Sequence, residues 1–120
     1  MQDHELCQEI AKVLWSKKAY DIEVLDVREM IVICDYMIIA SGRSAMQVKA
    51  LSDDVEDRMA ELGATLRRSE GGSEGRWIVL DYGSILVELF HQEDRAYYNL
   101  DRLWSDGTNS VPLPFDQTEE

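Results

Sequence analysis

Residues 77–90 read Trp-Ile-Val-Leu-Asp-Tyr-Gly-Ser-Ile-Leu-Val-Glu-Leu-Phe. Two runs rich in aliphatic residues flank the dipeptide Tyr82-Gly83, and this order is typical of a β-hairpin with a tight turn. We therefore predict a two-residue turn at Tyr82-Gly83, with Asp81 paired to Ser84. That pairing determines which side chains of the two strands share a face of the sheet.

The two faces of this hairpin differ in chemistry. Cross-strand partners share a face, so the predicted register places Trp77 opposite Glu88 and Val79 opposite Leu86. The other face is uniformly aliphatic and is the better core: Ile78, Leu80, Ile85, Val87 and Leu89. The mixed face predicts a surface that is exposed or covered by a partner, because open apolar patches usually mark contacts. The alternative, in which a helix covers this face and Trp77 is core, stays open.

Hydrophobic periodicity extends the prediction to both sides of the hairpin. The further segments are residues 3–17 and 93–105 as helices, residues 21–27 and 36–40 as strands, and residues 28–33 as a loop or a short strand. A capping-box pattern, Ser44 with Gln47, begins another helix, and Gly63 fits its C-terminal end. The element order α-β-β-α-β-β-β-α predicts an α+β fold, a small mixed sheet with helices packed on one face.

The length of the chain allows one domain, since 120 residues are too few for two independent cores. We predict that residues 1–105 form this domain and that residues 106–120 form a flexible acidic tail. The tail contains both prolines of the chain and no lysine or arginine. Cys7 and Cys34 make no disulfide framework, so we expect reduced thiols.

The charge balance constrains the partners. The chain has 24 acidic and 12 basic residues, a net charge of −12 and a pI near 4.5. Nucleic-acid affinity depends on lysine and arginine contacts to phosphate, so autonomous binding to DNA or RNA is disfavoured, and a basic protein partner is favoured. The longest apolar stretch, residues 30–40, is broken by Asp35 and is shorter than the roughly 18 residues of a membrane span. We expect a cytoplasmic protein without membrane contact.

A search for catalytic motifs predicts no catalytic residue, no metal ligand and no cofactor. A strand, a Gly-x-Ser turn and a helix, with Gly42-Arg43-Ser44 as the turn here, also open nucleotidyltransferase domains. Those enzymes then need paired carboxylates at Asp-x-Asp spacing on a strand to hold metal. No such pair occurs on a predicted strand, and Asp53 and Asp54 are adjacent residues of a predicted helix. An enzyme is therefore the weaker hypothesis.

Five motifs together resemble the ribosomal silencing factor family, also called RsfS or Iojap. They cover about residues 5–105, in the family's order and at its spacing, which makes the set specific although each motif alone is weak. The motifs are Lys18-Ala19-Tyr20-Asp21-Ile22, Leu25-Asp26-Val27, Cys34 to Ser44 (Cys-Asp-Tyr-Met-Ile-Ile-Ala-Ser-Gly-Arg-Ser), Trp77 to Gly83 (Trp-Ile-Val-Leu-Asp-Tyr-Gly) and Arg95 to Trp104 (Arg-Ala-Tyr-Tyr-Asn-Leu-Asp-Arg-Leu-Trp).

The resemblance implies a nucleotidyltransferase-like fold without the catalytic carboxylates. It also implies binding to a basic protein of the large ribosomal subunit, the universal fourteenth one, which sterically blocks joining with the small subunit when nutrients are short. A homodimer is plausible, since family members often dimerise. One departure is Glu88, where the family usually has His.

The hairpin face and the closing motif together predict a partner-binding set. Its members are Trp77, Val79, Asp81, Leu86, Glu88, Arg95 and Tyr98. The hairpin face would serve either the ribosome or a second copy of the chain. Three alternatives to silencing stay open at this point: a nucleotidyltransferase-like enzyme, a factor for assembly of the large subunit, and an acidic adaptor for another basic partner.

Overall fold

The structure is a computed structural model that describes residues 1–30, 32–98 and 105–117, with side chains left out at residues 96–98. Its element order matches the predicted one. The helices and strands are α1 (Asp3–Ser16), β1 (Tyr20–Asp26), β2 (Tyr36–Gly42), α2 (Ala45–Glu61), β3 (Arg68–Glu70), β4 (Trp77–Asp81), β5 (Ile85–His91) and α3 (Gln92–Tyr98). The part of the predicted last helix over residues 99–104, with Leu100 and Trp104, lies outside the described residues.

The described strands form one mixed sheet in the order β1-β2-β5-β4-β3. β2 runs parallel to β5, while the β1–β2, β3–β4 and β4–β5 pairs are antiparallel. A parallel pair needs a crossover connection, and α2 lies within the chain segment that joins β2 to β5. The predicted α+β architecture is therefore confirmed.

The hairpin turn lies one residue later than predicted. The Tyr82 N–H donates to the Ile85 carbonyl (2.9 Å), so the turn residues are Gly83 and Ser84. Gly83 has φ +89°, a conformation that favours glycine, and its N–H donates to the Asp81 carboxylate at 2.8 Å. This local bond holds the chain in the later turn.

The register of the two strands therefore differs from the predicted one by two residues. Trp77 lies opposite Phe90, and Val79 lies opposite Glu88. Because side chains alternate with a period of two, a shift of two residues leaves every side chain on its predicted face.

The aliphatic face of the hairpin is the main core, as predicted. All five of its residues are at most 1% exposed, and they pack in one cluster with buried residues of α1 and α2. α2 begins at Ser44, whose hydroxyl accepts the Gln47 N–H at 3.1 Å. The Gln47 side chain does not complete the predicted box, since its oxygen accepts the Arg43 N–H instead. Gly63 follows α2 with φ +81°, as a C-terminal glycine should.

The predicted flexible tail is residues 106–120, and the described part of this segment lies against the domain. We call residues 105–117 the C-terminal strap. The strap runs beside β1, the outer strand of the sheet. The Asp26 N–H donates to the Asn109 carbonyl (2.9 Å), and the Val111 N–H donates to the Val24 carbonyl (2.7 Å). These bonds satisfy backbone groups that an edge strand would otherwise leave unpaired.

Alternate residues of the C-terminal strap face the domain. Val111 is buried in the main core, and Leu113 and Phe115 pack against it. The ring of Phe115 stacks on Trp15 of α1, with ring centroids 4.9 Å apart. Apolar burial and edge pairing together therefore offset the entropy that a free tail would keep.

We predict that Phe115→Ala lowers the free energy of unfolding by about 1–2 kcal/mol, because it removes a half-buried ring and its stacking on Trp15. Ser110→Ala, at an exposed position of the same strap, is the matched control and should change stability by less than about 0.5 kcal/mol. The measurement is urea denaturation followed by circular dichroism. Equal stability of Phe115→Ala and wild type would mean that the strap does not dock.

Candidate functional site

Five of the predicted partner-binding residues lie together on one surface, which we call the hairpin face: Trp77, Val79, Asp81, Leu86 and Glu88. This is the sheet face opposite the one that packs against α1 and α2. Trp77, Val79, Asp81 and Leu86 are half-buried, whereas Glu88 is only 5% exposed. Some side chains of the hairpin face are thus partly accessible to solvent, and Glu88 is buried.

A second, smaller hydrophobic cluster underlies the hairpin face. Its buried members are Leu25, Val27, Cys34, Met37, Ile39 and Phe90, and Trp77 and Leu86 pack against them. Trp77 stacks on Phe90, with ring centroids 5.1 Å apart. The sequence analysis left Phe90 unassigned, although its position two residues after Glu88 places it on the same face. Trp77 is therefore a half-buried ring fixed by a buried one.

The loop between β1 and β2 borders the hairpin face. Its residue Cys34 is part of the underlying cluster, and the N–H of Asp35 donates to the Ser84 carbonyl in the hairpin turn at 2.8 Å. Nearby, Val32 is 101% exposed and Ile33 is 74% exposed. The described part of residues 28–33 forms no strand, which resolves the open alternative in favour of a loop. Sequence reasoning did not assign these two exposed apolar residues to the site, although their apolar run was visible.

Glu88 is the buried acid at the centre of this face. Burial raises the pKa of its carboxyl group, and the Trp77 side chain beside it partly opposes that rise. The second carboxyl oxygen, Oε2, is buried with no hydrogen-bond partner within the described part of the chain. An ionised carboxylate is costly to bury without partners, so Glu88 holds a proton more tightly in the folded chain.

Cys34, a buried thiol of the cluster that underlies the hairpin face, is affected by the charge of three acidic residues. Burial raises the pKa of its thiol to about 11, and the negative charges of Asp35, Glu88 and Asp81 act in the same direction. Cys34 and Cys7 are both free thiols, as predicted, and both are buried. The surface around Cys34 is therefore negative, and its thiol stays protonated at neutral pH.

Arg95 and Tyr98, the other two predicted site residues, lie in α3. The Arg95 guanidinium is 11% exposed and donates to Ser41 Oγ (3.0 Å) and to the Glu23 carboxylate (3.1 Å). It also donates to the Asp21 carbonyl. Arg95 thus binds within the domain. The side chain of Tyr98 lies outside the described residues.

A metal ion in a protein is usually held by several His, Cys, Asp or Glu side chains. No group of three potential ligands occurs among residues 1–30, 32–98 and 105–117. Asp53 and Asp54 lie on α2, with Asp53 exposed and Asp54 half-buried. Over the same residues, no helix is long and apolar enough to cross a membrane.

We predict that Glu88→Gln raises the free energy of unfolding at neutral pH. The folded pKa of Glu88 lies above its unfolded value, so the bound proton stabilises the chain at low pH, and this stability is lost as pH rises through the folded pKa. A neutral amide avoids that loss. The gain should be about 1.4 kcal/mol for each pKa unit that burial adds.

The measurement for Glu88→Gln is urea denaturation between pH 4 and pH 8, with Glu74→Gln, at an exposed position, as the control. The stability difference from wild type should grow with pH for Glu88→Gln and stay flat for Glu74→Gln. A difference at Glu88 that does not change with pH would contradict a buried titrating carboxyl.

Comparison with known proteins points to the same family as the sequence motifs. The family profile described as "Ribosomal silencing factor during starvation" matches residues 1–120. The ribosomal silencing factor RsfS of Bacillus subtilis is 39% identical over 90 residues, which cover 75% of this chain and 76% of that protein. RsfS of Halalkalibacterium halodurans is 35% identical over 106 residues, which cover 88% and 91% of the two chains. These names are those of regulators rather than enzymes.

Solved structures agree with the sequence relatives. A crystal structure of a Bacillus halodurans protein superposes with a TM-score of 0.81 at 32% identity, covering 92% of this chain and all (100%) of that one. A crystal structure of a Chromobacterium violaceum protein gives a TM-score of 0.85 at 29% identity, covering 99% and 98%. The predicted resemblance is confirmed along nearly the whole chain. The chain belongs to the ribosomal silencing factor family.

Proposed function

We propose that this chain binds the large ribosomal subunit through the hairpin face and blocks its joining with the small subunit. The observation that carries the proposal is the family match over residues 1–120, whose description names ribosome silencing during starvation. The partner we propose is a basic protein of the large subunit, the universal fourteenth one, in the cytoplasm. The mechanism is steric, so it needs no catalytic residue.

The shape of the hairpin face supports a protein contact. Trp77 is half-buried and stacked on Phe90, so its ring is already ordered before a partner arrives. Preordered aromatic side chains lose little entropy on binding and often contribute most of the affinity. Val79 and Leu86 extend the apolar area across the two strands, and the exposed side chains of Val32 and Ile33 lie in the loop that borders this face.

Charge supports a basic partner. Asp35, Asp81 and Glu88 all act on Cys34 at one end of this face, and the chain as a whole carries a net charge of −12. A negative surface attracts a basic protein over about 8 Å at physiological ionic strength and speeds the encounter. Glu88 contributes less than its position suggests, because it is buried and its pKa is raised.

The experiment that tests the function is sedimentation with purified subunits. The chain should co-sediment with isolated 50S subunits, and 50S subunits loaded with it should form fewer 70S particles when 30S subunits are added. Co-sedimentation without any loss of 70S formation would contradict silencing. Light scattering of the free chain in the same buffer tests the predicted homodimer.

We predict that Trp77→Ala weakens binding to 50S subunits by roughly thirty- to a thousand-fold, the loss expected of about 2–4 kcal/mol at an aromatic hot spot. Met46→Ala is the matched control. Met46 is a large apolar side chain that is 81% exposed, and it lies on α2, behind the opposite face of the sheet.

Circular dichroism must show that both variants are folded. A folded Trp77→Ala variant that binds 50S subunits as tightly as the Met46→Ala variant would place the contact elsewhere on the surface.

A further inference from the structure

A three-residue irregularity in β1, Asp21 to Glu23, is held from two sides. The register between β1 and β2 shifts at this point, and Asp21 has φ +48°, a backbone conformation that L-residues adopt at a cost. A strained backbone conformation of this kind needs contacts that stabilise it. Here the C-terminal strap and helix α3 supply them.

The C-terminal strap holds the middle residue of this segment. Gln117 Oε1 accepts the Ile22 N–H at 2.8 Å, and Gln117 Nε2 donates to the Ile22 carbonyl at 2.9 Å. One side-chain amide thus satisfies both backbone groups of Ile22, as a neighbouring strand would. The bonded residues are separated by 95 positions in the sequence, so these bonds exist only while the strap is docked.

Helix α3 holds the two flanking residues. Arg95 donates to the Asp21 carbonyl and to the Glu23 carboxylate. Gln117 and Arg95 therefore bind three consecutive residues of β1, one from the edge of the sheet and the other from α3. Arg95 also donates to Ser41 Oγ in β2, but a change in the backbone at Ile22 would move its acceptors on Asp21 and Glu23.

The contacts continue from α3 to the hairpin face. Asp94, next to Arg95, pairs with the Arg76 guanidinium through two bonds of 2.9 and 3.0 Å. The Arg76 carbonyl accepts the His91 N–H at 2.8 Å, and Arg76 directly precedes Trp77. A continuous series of contacts thus joins Gln117 to the strand end that carries Trp77.

We propose that Gln117 is a positioning residue for the hairpin face. With the C-terminal strap docked, its amide fixes the Asp21–Glu23 segment, which holds α3 through Arg95 and thereby orders the start of β4. With the strap released, both backbone groups of Ile22 lose their partner, and α3 and Trp77 become less ordered. The docked and released states of the strap are the two arrangements that such coupling requires. The consequence for ribosome binding rests on the proposed function, whereas the coupling itself does not.

The test is amide hydrogen exchange on the full chain, comparing Gln117→Ala with Gln8→Ala. Gln8 is a matched control, because its side-chain amide also holds the strap, donating to the Pro112 carbonyl at 3.1 Å, whereas its side chain makes no hydrogen bond to β1 within the described residues. Gln117→Ala should speed exchange in residues 21–23, 76–78 and 92–95 by about fivefold or more, the factor given by one lost hydrogen bond. Gln8→Ala should leave those segments at the wild-type rate.

A second variant and the exchange of other segments distinguish a local effect from a general loss of stability. Gln117→Glu keeps an acceptor for the Ile22 N–H but places a carboxylate oxygen against the Ile22 carbonyl in place of the donor, so exchange in residues 21–23 should also be faster than in wild type. Exchange in α2, which takes no part in this series of contacts, should not change in any of the variants. Faster exchange everywhere, or no change at residues 76–78 and 92–95, would overturn the proposal.

Binding to 50S subunits separates this inference from the proposed function. Gln117→Ala should weaken binding about fivefold, a loss smaller than that expected for Trp77→Ala, while Gln8→Ala should bind like wild type. If no variant and no wild-type chain binds 50S subunits, the proposed function fails, and the exchange result still decides the coupling. If exchange changes as expected but binding does not, Gln117 has no positioning role for the face.

Discussion

The structure depends on strand β5 and its two neighbours. β5 pairs with β2 on one side and with β4 on the other, so every second side chain of β5 enters the main core. Val87 lies there between Ile38 and Leu80, and all three are fully buried. The side chains of the intervening β5 residues point to the opposite side of the sheet, where they form part of the hairpin face. A single period-two pattern thereby determines both the core and the candidate site.

Glu88 shows how the same constraint shapes the chemistry of the face. Its position in β5, between Ile39 and Val79, is set by the core residues on either side of it. The carboxyl group is consequently buried at the centre of the sheet, although its residue type favours water. Its raised pKa is the cost of that placement. The negative charge that a basic partner would meet comes mainly from acids at the rim, such as Asp35 and Asp81.

The fold could be predicted from sequence to the extent that it depends on periodicity. The two faces of the hairpin were predicted correctly, although the turn was not. The predicted pairing register differs from the observed one by two residues, and side chains of a strand alternate between faces with a period of two. The turn itself depends on the Asp81 side chain, which accepts the Gly83 N–H. A side-chain bond of this kind leaves no trace in a hydrophobic pattern.

The C-terminal strap was missed for a different reason. Val111, Leu113 and Phe115 alternate with Pro112 and Pro114, which is a strand-like pattern with the prolines facing outward. The glycine, prolines and polar residues of this segment predict a flexible tail, whereas the alternation predicts a docked strand. The docking of Gln117 on Ile22 could not be predicted, since it joins residues far apart in the chain. The contacts of Arg95 could not be predicted either, because its hydrogen-bond partners lie in the distant strands β1 and β2. Its position in the family-like motif indicated a contact with a partner protein instead.

The central claim is that the hairpin face contacts a basic protein of the large subunit. Site-specific photo-crosslinking tests it most directly, with the photoreactive residue placed at Val79 on that face and, in a separate chain, at Met46 on α2. The account predicts that Val79 chains incubated with 50S subunits crosslink to one basic ribosomal protein, the universal fourteenth, and that Met46 chains do not. Crosslinking from Met46 but not from Val79, or from Val79 to a different component, would contradict it.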